Sequence, residues 1–131
     1  MASTTFSGPV TSTNGFIGAI TGNVTGNVTG NVTGDIFSSV QSLSGAGAVN
    51  LTDMLTSLTT TGASQALTLA DGTVGQIKII THTVDGGSAV LTPTTKIGFT
   101  TITFTAVGDT VTLIYTSAGW AIIGSRGVTI A

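Results

Sequence analysis

With only 6% of its 131 residues charged, 40% hydrophobic and 19 glycines, this chain carries too little charge to live as a solvated, disordered polymer; its surface is expected to be covered by copies of itself or by another protein. A formal net charge of −2 offers no basic patch, so nucleic acid is not an expected partner. The length suits one domain plus an arm, the absence of cysteine leaves no disulfide framework, and no apolar run approaches the ~20 residues of a membrane span.

In chain order, residues 1–15 read as a leader. MASTTFSGPV has neither a basic head nor an apolar h-region, so no secretory signal is expected there. Phe6 and Val10 are its apolar residues, Pro9 favours an extended or turn path, and Asn14-Gly15 is a turn signal.

Residues 16–36, FIGAITGNVTGNVTGNVTGDI, form a four-residue repeat read as apolar–x–Gly–x. Phe16, Ile20, Val24, Val28, Val32 and Ile36 fill the apolar slot, and a glycine stands two places after each of the first five. Because the period is even, an extended chain puts all of these on one face and the Thr and Asn residues on the other. Helix is disfavoured, since Gly, Val, Thr and Asn are poor helix formers, and collagen would need glycine at every third place. The expected element is an extended arm whose stripe alternates a large side chain with none, suited to a second backbone lying against each glycine. Burying those side chains does not offset the conformational entropy of fixing the backbone. The arm is therefore expected to be ordered only by an adjoining oligomer or a pre-existing surface.

Residues 37–47 read as a linker, loosest at Gly45-Ala46-Gly47, and residues 48–131 as an all-β domain. Candidate strands are Val49–Leu51, Met54–Thr60 (with a brief helix over Asp53–Leu58 as the alternative) and Ala66–Ala70. Gln76–Val84 is a longer strand, and Ser88–Thr92 is expected to return as its hairpin partner across Asp85-Gly86-Gly87. Thr100–Thr105, Thr110–Thr116, Trp120–Ile123 and Val128–Ile130 follow, with Ile102 and Phe104 on one face, and Val111, Leu113 and Tyr115 likewise. About eight short strands with regular turn signals point to a β-sandwich or jelly-roll-like domain.

Gly75–Ala131, with GQIK, DGG, LTPT, TTITF, VGDTVTL and a final aromatic strand, resembles a C-terminal β-domain recurrent in structural proteins of tailed bacteriophages, marine ones especially. The VTGNVTGN arm is similar to repeats at the N-termini of such virion proteins. The resemblance implies a homotrimer, a non-enzymatic role as a capsid decoration (cement) protein or a short head or tail fibre, and assembly in a host cytoplasm onto the virion. Its implied partners are its own copies and a major capsid or other virion protein. The arm residues Phe6, Val10, Phe16, Ile20, Val24, Val28, Val32 and Ile36 would make those contacts.

Little in the sequence suggests chemistry. His82 has no nucleophile-elbow motif to serve, and a strand-face histidine is the stronger reading. Asp71, Asp85 and Asp109 sit in turn dipeptides, no calcium-loop pattern is present, and no cofactor or metal is expected. The glycosylation pattern at Asn23, Asn27 and Asn31 follows automatically from the repeat, and that at Asn50 reads as accidental. Trp120 with Tyr115 could form a sugar-binding platform, although aromatic residues in short strands more often anchor a core. Lys78, Lys96 and Arg126 are few enough for each to pair with a neighbouring carboxylate.

Overall fold

In the computed structural model the described residues are Ser7, 32–34 and 37–131. The chain divides into two compact units, Met1–Gly34 and Asp35–Ala131. In the first, Ser7, Val32, Thr33 and Gly34 are exposed, and the expected leader and repeat arm otherwise lie outside the described residues. The second unit carries the β-strands and, among the described residues, no helix.

The strands are β1 (Val40–Ser44), β2 (Gly47–Val49), β3 (Leu55–Thr59), β4 (Gln65–Leu69), β5 (Ile77–Val84), β6 (Ala89–Pro93), β7 (Ile102–Phe104), β8 (Thr110–Thr116), β9 (Gly119–Arg126) and β10 (Thr129–Ile130). They form two five-stranded sheets, sheet A in the order β1-β3-β5-β8-β9 and sheet B in the order β10-β7-β6-β4-β2. Odd strands β1, β3 and β5 stack parallel in sheet A, and each continues round a corner into β2, β4 or β6, stacked parallel in sheet B. The first six strands are thus three successive turns of a flattened coil. Antiparallel strands β7, β8, β9 and β10 finish both sheets on its last turn.

This topology corrects two expectations and decides a third point. The Asp85-Gly86-Gly87 turn is not a hairpin: β5 pairs with β3 and β8, whereas β6 pairs with β4 and β7 in the other sheet. The stretch expected to be a linker contains β1, held parallel to β3 from Val40↔Leu55 to Ser44↔Thr59. The strand expected over Met54–Thr60 is present as β3, in place of the alternative helix over Asp53–Leu58, and its Thr56 and Leu58 point inward. Its alternating burial matches a strand with one face in the core.

The corners explain why a coil is formed. Gly45 N–H donates to Thr59 O, Thr60 N–H to Val84 O and Gln65 N–H to Ser88 O, each at 2.9 Å, so successive corners hydrogen-bond to one another as the strands do. Such close backbone stacking leaves no room for side chains. A Cβ on Gly86 would lie 2.4 Å from Thr60 O, and one on Gly87, whose φ is +141°, would lie 2.5 Å from the Gly62 carbonyl.

Between the sheets lies one apolar core. Sheet A supplies Leu58, Ile80, Val111, Leu113 and Trp120, and sheet B supplies Leu67, Leu69, Leu91, Ile102 and Phe104. Each such side chain contributes about 1.5–3 kcal/mol on burial. The shared faces expected for Ile102 with Phe104 and for Val111 with Leu113 are present, and Tyr115 packs half-buried against the same core.

Candidate functional site

On the central strand β5 the inward face reads Lys78, Ile80, His82, all fully buried. His82 is tied to the corner end of the core. The Thr60 hydroxyl donates to Gly87 O at 2.9 Å and accepts from Gly86 N–H at 2.9 Å. Its donor being used, it accepts from His82 Nε2 at 3.0 Å, which assigns the Nε2–H tautomer by hydrogen-bond logic. Nδ1 is then a bare acceptor, buried without a hydrogen-bond partner. A histidine with no exposed atom beside a threonine already bonded to backbone has no route to a substrate; its hydrogen bond braces the corners.

Lys78 occupies the opposite, loop end. Its ammonium donates to the backbone oxygen of Asp53. Burial pushes the Lys78 amine below the ordinary lysine range, and the Asp53 carboxylate draws it partly back. Asp53 itself is held below the ordinary carboxylate range by hydrogen bonds from Ser39 and then Asn50, which outweigh burial, with Lys78 adding in the same direction. Asn50 gives Nδ2–H to Asp53 Oδ2 at 2.7 Å and takes Asp53 N–H on Oδ1 at 3.0 Å, so its amide is committed to this loop.

The other carboxylates are also spent on the chain. Asp109 Oδ2 accepts from Thr105 N–H at 2.7 Å and Ala106 N–H at 3.0 Å, closing the turn between β7 and β8. Burial alone would raise the Asp109 carboxyl; the hydrogen bonds from the Thr105 and Ala106 amides and the Thr105 hydroxyl outweigh it and hold it low. Asp71 accepts from both the amide and the hydroxyl of Thr95 at 3.0 Å, which pins two loops together, and Asp85 accepts from Gly87 N–H at 2.8 Å. Among the described residues no three His, Cys, Asp or Glu side chains gather where they could hold a metal.

The expected carboxylate pairing of the cations is replaced by backbone capture. Lys96 Nζ donates to Pro93 O at 3.0 Å and Arg126 Nη1 to Gly108 O at 3.4 Å, as Lys78 does to Asp53 O.

Trp120 corrects the platform reading. Its indole is fully buried, its Nε1–H donates to Ala70 O at 2.9 Å, and Tyr115 stands edge-on to it at 5.1 Å. A sugar needs an exposed ring face, and Trp120 has none.

Of the arm residues, Phe6, Val10, Phe16, Ile20, Val24, Val28 and Ile36 lie outside the described residues, and Val32 is 57% exposed. What the structure brings together instead is the outer face of sheet A. Across it run Val40–Leu55–Ile79–Thr112–Gly124 in one lateral row, apolar on its first three strands, and Ile77–Ile114–Ala121 in the next. A bulge sets Ile123 and Gly124 opposite Thr112 and leaves Ile123 58% exposed. Toward the corners the rows become polar, as in Ser42–Ser57–Thr81–Thr110. Sheet B differs: its outer side chains are Ala48, Thr68 and Thr92 in one row and Ala66, Val90 and Thr103 in another. Sequence reasoning missed the apolar band because both faces of β5 read as apolar, and pairing with β3 and β8 decides what joins it.

No family model matches this chain, and no curated protein matches it either.

Proposed function

We propose that this chain is a structural protein of a tailed-bacteriophage virion, acting without catalysis as a trimeric capsid decoration protein. The observation that carries this reading is the arm repeat of residues 16–36, too poor in buried surface to order itself, joined to a β-domain almost free of charge. The resemblance of Gly75–Ala131 and of the VTGN repeat to virion proteins supports it. In this reading the apolar stripe of the arm lies against a capsid shell and the β-domains associate as a trimer facing outward. The mechanism is mechanical: added contact area across capsomer boundaries raises the barrier to shell opening.

A short trimeric fibre is the second reading, favoured by the length of the repeat, which could reach at most ~70 Å as a shaft at about 3.3 Å per residue. Imaging of intact particles with counting of copies separates the two. A decoration protein is present in hundreds of copies over the shell, and a fibre in tens or fewer at fixed points. Deleting Phe16–Ile36 should abolish attachment while the β-domain stays folded; attachment that survives the deletion removes the arm from the proposal.

A further inference from the structure

We propose that the loop end of the β-domain is built to form a covalent cross-link, an amide joining the Lys78 side chain to the side chain of Asn50. The groups involved lie wholly within the β-domain, and the bond does not depend on the virion reading.

Lys78 stands where a lysine is least expected. Its side chain is fully buried on the inward face of β5, beside Ile80. A lysine so buried is ordinarily paired with a carboxylate. Here its hydrogen bond goes to the backbone oxygen of Asp53, and the Asp53 carboxylate acts on it through charge without a hydrogen bond. Burial favours the neutral amine, whose lone pair is a nucleophile. A place that needed only filling would take an apolar side chain, with no charge to desolvate.

Asn50 and Asp53 supply what that amine needs in order to react. Asn50 follows β2 where the chain leaves sheet B, and Lys78 lies in sheet A, so only the fold brings them to one end of the core. Asp53 joins them: its N–H donates to Asn50 Oδ1 at 3.0 Å, and its C=O accepts from the Lys78 amine. The N and O atoms of one residue lie about 3 Å apart, so the amine and the Asn50 amide are neighbours on Asp53, a side-chain rotation from contact. The N–H on Oδ1 polarises the amide carbonyl and can hold the negative charge that forms there on attack. Asp53 Oδ2 accepts from Asn50 Nδ2–H at 2.7 Å, on the nitrogen that must leave. Hydrogen bonds from Ser39 and Asn50 keep this carboxylate ionised and so able to take a proton.

In the reaction Lys78 Nζ attacks Asn50 Cγ, a C–N bond forms, and the carbonyl electron pair moves to Oδ1. The Asp53 carboxylate takes a proton from Nζ and returns one to Nδ2. As the carbonyl re-forms, the Cγ–Nδ2 bond breaks and ammonia leaves. One amine and one primary amide become a secondary amide and ammonia, with nothing oxidised or reduced and no co-reactant. A buried cation is thereby exchanged for a neutral group. Asn50 follows the first turn of the coil and Lys78 begins the third, so the bond ties the coil across its second turn. Until it forms, Lys78 titrates as an amine.

The test is the intact mass of the full 12.9 kDa chain after ageing at mildly alkaline pH. The expected product is about 17 Da lighter than the sequence, one ammonia having left. Trypsin reads the position, because the cleavable residues are Lys78, Lys96 and Arg126 and an amide-linked lysine is not cut. Under denaturing conditions the aged chain should be cleaved after Lys96 and Arg126 but not after Lys78. Lys78→Arg and Asn50→Ala should keep the full mass, and in Asn50→Ala cleavage after Lys78 should return. A wild type that keeps its full sequence mass overturns the proposal without any variant having to fold. A loss of about 17 Da with Lys78 still cleaved overturns it too, since that is an asparagine cyclising onto its own backbone; so does a loss of about 18 Da, which is a bond to a carboxyl with water leaving. Asp53→Ala should slow the mass loss at least tenfold. An unchanged rate in that variant supports the Lys78–Asn50 bond and overturns the part given to Asp53.

Discussion

The two ends of this β-domain solve the same problem in different materials. At the corner end, consecutive turns lie directly on one another, bonded backbone to backbone, with glycines where a side chain would collide and one threonine hydroxyl serving three partners. At the loop end the chain takes longer detours, and side chains close the gaps: Asn50 with Asp53, Asp71 with Thr95, Trp120 with Ala70. The outer face of sheet A follows the same division, polar near the corners and apolar near the loops. Tight stacking makes the corner end intolerant of change. At the loop end, side-chain bracing replaces direct backbone stacking.

Substitutions should expose that asymmetry. Gly87→Val is expected to be the most damaging, because its Cβ would meet the Gly62 carbonyl at 2.5 Å on a backbone with φ of +141°. A loss of about 3 kcal/mol or more in urea denaturation is expected from strain and displaced corners. A fully folded variant would show that the corners are not rigid. Thr60→Val keeps the shape but strands Gly86 N–H, Gly87 C=O and His82 Nε2. It should cost about 2–3 kcal/mol, since buried groups left unpaired lose their solvation as well. At the loop end Trp120→Phe, which loses the bond to Ala70 O and some packing, should cost only about 1–2 kcal/mol. If it proves worse than Thr60→Val, the ranking of the two ends is reversed.

Titration offers a gentler comparison. Asp109 at the corner end and Asp53 at the loop end both have carboxyls held below the ordinary value of 3.8. Their contribution is present above that value and is lost as pH falls through the lower, folded one. Lys78 has the opposite consequence. Its folded amine sits below the ordinary 10.5, so the unfolded chain binds the extra proton, and stability rises with pH between those two values. Urea midpoints measured across pH should show acid loss reduced by Asp109→Asn and the alkaline rise removed by Lys78→Met. An alkaline rise that persists in Lys78→Met would assign it elsewhere. Smallest of all, Ile123→Lys on the exposed bulge should change domain stability by no more than about 0.5 kcal/mol, whatever it does to association.

Much of the domain was legible before any fold was known. Alternation in Thr110–Thr116 and Ile102–Phe104 grouped the residues that share a face correctly, because a period of two survives any choice of neighbour. In β5, alternation alone does not say which side is in, since Ile77 and Ile79 on one face and Ile80 on the other make both faces read as apolar. β1 escaped notice because its inward residues are Gln41 and Leu43; Gln41 fills its place with hydrogen bonds to Ala48 O, Asn50 N–H and the Thr56 hydroxyl.

The amino-acid order by itself determined strand periodicity, turn positions and the scarcity of charge, because these depend on neighbours along the chain. Only the tertiary structure decided that Asp85-Gly86-Gly87 carries the chain between sheets and not back along one. That choice depends on the Thr60 and Gly62 backbone it must stack against, more than twenty residues away. The same non-local stacking buried Trp120, turned Lys78 inward and aligned an apolar band across sheet A, none of which any single strand encodes.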